Sequence, residues 1–173
     1  MSLQTKTNPV GVDIPIQSLQ EDLFNELGWT NYEAYGRAYV NISEGDTIPE
    51  VFKDGKEYLE VMYDDTVNAS SFFVINSDVD YDEVANVSVD LIFQVNLAEL
   101  YPNIEHRADE EMHLDVIQVI KNNFYGFNFD GFTTRIEDVY SGFDLKDDYK
   151  ETTDMESFHV VRFRLNLNYE YQC

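Results

Sequence analysis

Two stretches of this chain alternate apolar and polar residues, the first interrupted only at Ile92, and that alternation constrains the fold more than any other feature. Val87, Val89, Leu91, Phe93, Val95 and Leu97 alternate with Ser88, Asp90, Gln94 and Asn96. Val161, Phe163, Leu165, Leu167, Tyr169 and Tyr171 alternate with Arg162, Arg164, Asn166, Asn168 and Glu170. Period two is the period of a β-strand with one face in a core, and a helix, repeating about every 3.6 residues, does not produce it. The pattern is laid under 34 acidic and 11 basic residues, a formal charge of -23. Disordered acidic chains lack such patterned apolar residues, so the charge belongs to a folded surface. That surface repels nucleic acid, because phosphate contacts need clustered Lys and Arg. Only Arg162 and Arg164 pair up, on the polar side of the last strand, where Glu137 or Asp138 are the expected cross-strand partners.

The rest of the chain reads as two helices and about six strands. Residues 1–17 carry Pro9, Gly11 and Pro15, with Val10, Val12, Ile14 and Ile16 spaced two apart, and read as an extended arm. Ser18 and Glu21 form a capping-box pattern that opens a helix with Leu19, Leu23 and Leu27 on one face, closed by Gly28. Strands are expected over 35–40, 49–52, 58–63, 71–76, 87–97, 133–140 and at the carboxy end, with Asp54 and Gly55 as a hairpin turn. Residues 107–123 switch to helical period, with Met112, Val116, Ile117, Val119 and Ile120 as the apolar stripe. Asp109, Glu110 and Glu111 lie at its start and Lys121 at its end, as the helix dipole favours. An acidic loop is expected over 141–157. The expected fold class is α+β: a mostly antiparallel sheet packed against two helices, with residues 18–173 as one domain behind the arm. At 173 residues the chain is long enough for a real core. The single Cys173 offers no disulfide framework, and neither a leader pattern nor a spanning apolar run is present, which implies a soluble, unexported protein.

Motifs with chemistry are few. Asp78, Asp80 and Asp82 have the spacing that opens a calcium loop, but the sixth position is Glu83 rather than Gly and the twelfth is Val89 rather than Glu, so an acidic turn is the expectation. Glu110 and His113 match half of a carboxylate-bridged di-iron site whose second half is missing. His106, His113 and His159 have carboxylates to work with and no nucleophile in a recognisable context. Neither an enzyme nor a cofactor or metal is expected. The sequons at Asn41, Asn68 and Asn86 carry meaning only after secretion. Phe124, Tyr125, Phe127, Phe129 and Phe132 form an aromatic connection that either meets another subunit or covers its own core.

Residues 96–124 (NLAELYPNIEHRADEEMHLDVIQVIKNNF), followed by residues 154–171 (DMESFHVVRFRLNLNYEY), resemble the tail-terminator or tail-completion proteins of bacteriophage necks. In that family a strand leads into a helix that opens with His-Arg and a carboxylate cluster, matched by His106, Arg107, Asp109, Glu110 and Glu111. A final strand follows an Asp-Met element, matched by Asp154 and Met155. The stretch from Tyr58 to Phe73 is similar too. The resemblance implies a structural virion protein forming a homo-oligomeric ring, hexameric or twelvefold, that joins or caps the head-tail connection and tail tube. It implies neck, portal-adaptor or tail proteins as partners, genome DNA passing through without specific binding, no membrane, and assembly in the host cytoplasm. His106, Arg107, Asp109, Glu110, Phe127, Phe129, Asp154 and Met155 are the subunit-interface residues it points to. The alternative is an acidic DNA mimic that inhibits a host nucleic-acid-binding enzyme.

Overall fold

The computed structural model describes residues 2–53, 57–62, 64–76, 80–81, 85–144 and 158–169. In chain order the elements are β1 (Ser2–Gln4), α1 (Asp13–Leu27), β2 (Tyr32–Ser43), β3 (Asp46–Lys53), β4 (Glu57–Glu60), β5 (Ala69–Ile75), β6 (Asp80–Tyr81), β7 (Ala85–Asn96), α2 (Leu97–Leu100), α3 (Asp109–Asn122), β8 (Asn128–Thr133), α4 (Ile136–Val139) and β9 (Phe158–Tyr169). The fold is α+β. The strands lie in the order β4-β3-β2-β5-β7-β9-β8, with β1 beside β2 and β6 beside β7. Pairing is antiparallel except for β1 with β2 and β2 with β5. The two alternating stretches are neighbours at the centre: β7 and β9 pair along their whole length, Leu91 opposite Phe163 and Val89 opposite Leu165.

Both faces of this centre are covered, which corrects the expectation of a strand with only one face in a core. On one face α1 and α3 pack over Val87, Val89, Leu91, Phe93, Val95, Val161, Phe163, Leu165 and Leu167. Aromatic rings fill the gaps there: Trp29 meets Tyr32 and Phe93 edge-on with centroids 5.6 and 5.8 Å apart, and Phe93 meets Phe163 at 6.0 Å. On the other face Ile92, Phe72, Val74, Val139, Tyr140 and Val160 form a second core. The two expected helices thus share one face, the single turn of α4 covers the other, and β7 is a central strand rather than a half-buried one. Its inward Gln94 is held from both sides, while the buried Asp90 keeps Oδ1 without a hydrogen-bond partner. Ser70 donates to Gln94 Oε1 at 3.2 Å, and Gln94 Nε2 donates to the Tyr140 hydroxyl at 2.9 Å.

Other boundaries also moved for physical reasons. Of the expected extended arm, only Ser2–Gln4 is a strand; α1 begins at Asp13, five residues before Ser18. Val12, Ile16, Leu19 and Leu23 make a helical stripe that is fully used against the sheet. Pro15 sits in the first turn, where its missing N–H has no intrahelical partner to lose. Ser18 is inside the helix and accepts a hydrogen bond from Asn123 at 3.2 Å instead of capping. The expected strand 133–140 is also replaced: β8 takes residues from the aromatic connection, and α4 forms a single turn. The β3–β4 hairpin exists, with Lys53 opposite Glu57, although its turn lies outside the described residues. The β2–β3 hairpin was not foreseen. Its loop is Glu44 and Gly45, with φ of 53° and 98°, the two-residue turn whose twist suits antiparallel strands.

Candidate functional site

The segments on which the family resemblance rests are joined by a chain of three side chains. β9 places His159 at an inward position, on the face it shares with Val161 and Phe163, and α3 places His113 on the flank of its buried stripe. Arg107, just before α3, directs Nη2 at His159 Nδ1, 3.0 Å away, and at the Phe158 carbonyl, 3.4 Å away. His159 Nε2 lies 2.9 Å from His113 Nε2. A guanidinium only donates, so His159 Nδ1 accepts and its proton sits on Nε2. That proton is donated to His113 Nε2, which leaves the His113 hydrogen on Nδ1. There it has no hydrogen-bond partner, and the imidazole is tilted against the Phe132 ring with centroids 4.5 Å apart.

Burial pushes the His113 pKa below its ordinary 6.5; Glu110 and Asp109 pull it back up, and Arg107 adds to the depression. A proton added to His113 would go onto Nε2 and set two N–H groups against each other. The chain is thus intact only while His113 is neutral. It holds α3 to β9 and presents no nucleophile, and among the described residues no three His, Cys, Asp or Glu side chains gather as metal ligands.

The remaining expected residues divide by position. His106 is exposed, its Nε2 3.4 Å from Glu111 Oε1, and Asp109 and Glu110 occupy the first turn of α3. Phe127 is only 4% exposed and belongs to its own core, while Phe129 packs against Phe163 and stays partly exposed. Phe124, at 89% exposure, together with Tyr125 and Phe132, is open to solvent. The aromatic connection therefore divides residue by residue between the core and the solvent. Asp154 and Met155 lie outside the described residues, as do Asp78 and Asp82.

Two charged clusters were missed by the sequence reading. Arg162 is buried, and both its Nε and Nη2 lie 2.6 Å from Asp90 Oδ2 on β7. Its Nη1 donates to the carbonyls of Asp138, Val139 and Ser141 at 3.3, 3.1 and 3.0 Å, so it ties α4 to the sheet. The expected carboxylate partners, Glu137 and Asp138, do not serve it; Asp138 instead faces Arg135 at 3.8 Å. Burial raises the Asp90 pKa, while Arg162 and Arg164 oppose the shift. The signal available was a charged pair at inward positions of the two most apolar strands. The second cluster is Asp13, buried at the start of α1, with Lys6 Nζ at 2.6 Å and Arg37 Nε at 3.0 Å.

Exposed apolar residues collect toward both edges of the sheet. Val40, Ile42 at 80% exposure, Phe52 and Tyr58 belong to the β2–β4 side. Leu114, Phe124 and Phe132 belong to the α3–β8 side. No helix among the described residues is long and apolar enough to cross a membrane. No family model matches the chain, and no curated protein matches it in sequence.

Proposed function

We propose that this chain is the repeating subunit of an oligomeric ring in the neck or tail of a bacteriophage, a structural virion protein that joins or caps the head-tail connection and lets the genome pass. The observation that carries the reading is that the two edges of one sheet expose unlike sets of apolar residues, Val40, Ile42, Phe52 and Tyr58 on β2–β4 and Leu114, Phe124 and Phe132 around α3 and β8. Self-complementary surfaces give closed dimers, whereas unlike surfaces give head-to-tail contacts, which form rings where the rotation between copies closes.

Two further features agree with it. The His106-Arg107 opening of α3 and the final strand, which carry the family resemblance, are in contact through Arg107 and His159. A charge of -23 removes the attraction that would hold DNA in a channel. Its partners are then other copies and the adjoining neck, portal-adaptor or tail proteins, met in the host cytoplasm during assembly. Deleting the coding sequence from the phage genome tests the reading. Filled heads without tails, or tails of abnormal length, support it. Normal particles, with the protein recovered instead on a host nucleic-acid enzyme, overturn it in favour of the acidic mimic.

A further inference from the structure

Resting on the ring reading, we propose that the contact between copies is made by Leu114 on α3, with its flanking carboxylates, entering the cleft between the N-terminal segment and the β2–β3 hairpin of the next copy. The cleft holds about 360 Å³ and is lined by Lys6, Val10, Ile16, Arg37 and Phe52 around the buried Asp13. Lys6 and Arg37 share that one carboxylate, which leaves the cleft with a net positive charge in a chain of 34 acidic and 11 basic residues. Arg37 Nε and Asp13 Oδ1 are 3.0 Å apart yet off the hydrogen-bond axis, so both remain without an aligned partner. The Arg37 guanidinium lies over the Tyr39 ring, 4.8 Å from its centroid, and donates to the Tyr39 hydroxyl at 2.9 Å, which fixes its position. Val10, 72% exposed, and Phe52, which rests edge-on against Tyr58 and is 43% exposed, supply apolar walls.

The outer face of α3 is the complement. Leu114 is 65% exposed, an aliphatic residue in the middle of a helix surface whose neighbours three and four residues away are Glu110, Glu111, Ile117 and Gln118. Apolar side chain meets apolar wall, and carboxylates meet the two cations. Charge complementarity of this kind selects a partner and its orientation. A second copy is the occupant that carries the matching surface. Because α1 packs on β2 while α3 packs toward β8, cleft and helix face lie toward opposite edges of the sheet. The contact therefore runs in one direction from copy to copy.

Sedimentation velocity on three samples of the full chain tests this: wild type, Leu114→Asp and Val10→Asp, with circular dichroism melts to establish that each variant is folded. The expected result is that wild type assembles and each variant associates at least tenfold more weakly. Mixing the two variants should then give a one-to-one dimer and nothing larger, since one contributes an intact cleft and the other an intact helix face. Should Val10→Asp fail to fold, Phe52→Ser takes its place. Variants that still form rings overturn this contact while leaving the ring reading in place. A wild-type chain that stays monomeric overturns both, and a mixture that stays monomeric overturns the pairing of these two surfaces.

Discussion

His113 shows how one residue can couple packing to pH. Its pKa in the folded chain lies below 6.5, so the unfolded chain takes up the proton first. Stability from this group is complete above about pH 6.5 and is lost as pH falls below it. His113→Gln keeps an acceptor for the His159 N–H and cannot titrate. Thermal melts between pH 7.5 and about 5 should therefore fall less steeply for the variant than for wild type; parallel curves would remove His113 as the cause. Asp90 and Arg162 give a second test at this scale. Removing one partner of a buried pair strands the other, so Arg162→Met should cost about 3–5 kcal/mol in urea unfolding. Asp90→Asn, which keeps an oxygen for the guanidinium, should cost about 1–3 kcal/mol. A larger loss for Asp90→Asn would mean that the three backbone carbonyls bound by Arg162 contribute little.

Element by element, legibility followed how local the cause was. α3 was readable because its stripe, its acidic first turn and Lys121 agree with one another, and β7 and β9 because their alternation is long. The start of α1 was not, since Val10, Val12, Ile14 and Ile16 fit period two while Val12, Ile16, Leu19 and Leu23 fit a helix, and only packing on the sheet decides between them. α4 owes its place to Arg162 and Gln94, partners distant in sequence. The His159–His113 pair and the Asp90–Arg162 pair were invisible for the same reason: each joins two elements whose neighbourhood is set by topology. The β2–β3 turn, by contrast, had a local signal in Glu44-Gly45. Gly45, at φ 98°, should tolerate Ala poorly, with about 1 kcal/mol lost. Glu44→Asn, better suited to the left-handed region, should raise the melting temperature. Urea and thermal unfolding of the two variants check both signs.

Over the whole molecule the dominant quantity is the charge of -23, which opposes any meeting of copies. Salt shortens the range of that repulsion, from about 30 Å at 0.01 M to about 8 Å at 0.15 M. Association should accordingly strengthen as salt rises from low to physiological ionic strength. It should weaken only at higher salt, where the contacts of Lys6 and Arg37 with the acids beside Leu114 are screened in turn. A steady fall across the whole range would mean that attraction between unlike charges governs assembly alone. The most direct measurement is electron microscopy of the purified full chain at physiological salt, classified by rotational symmetry. The account expects closed rings with a central opening, built from one repeated head-to-tail contact. Single particles at every concentration, or two-fold dimers with no opening, would contradict it.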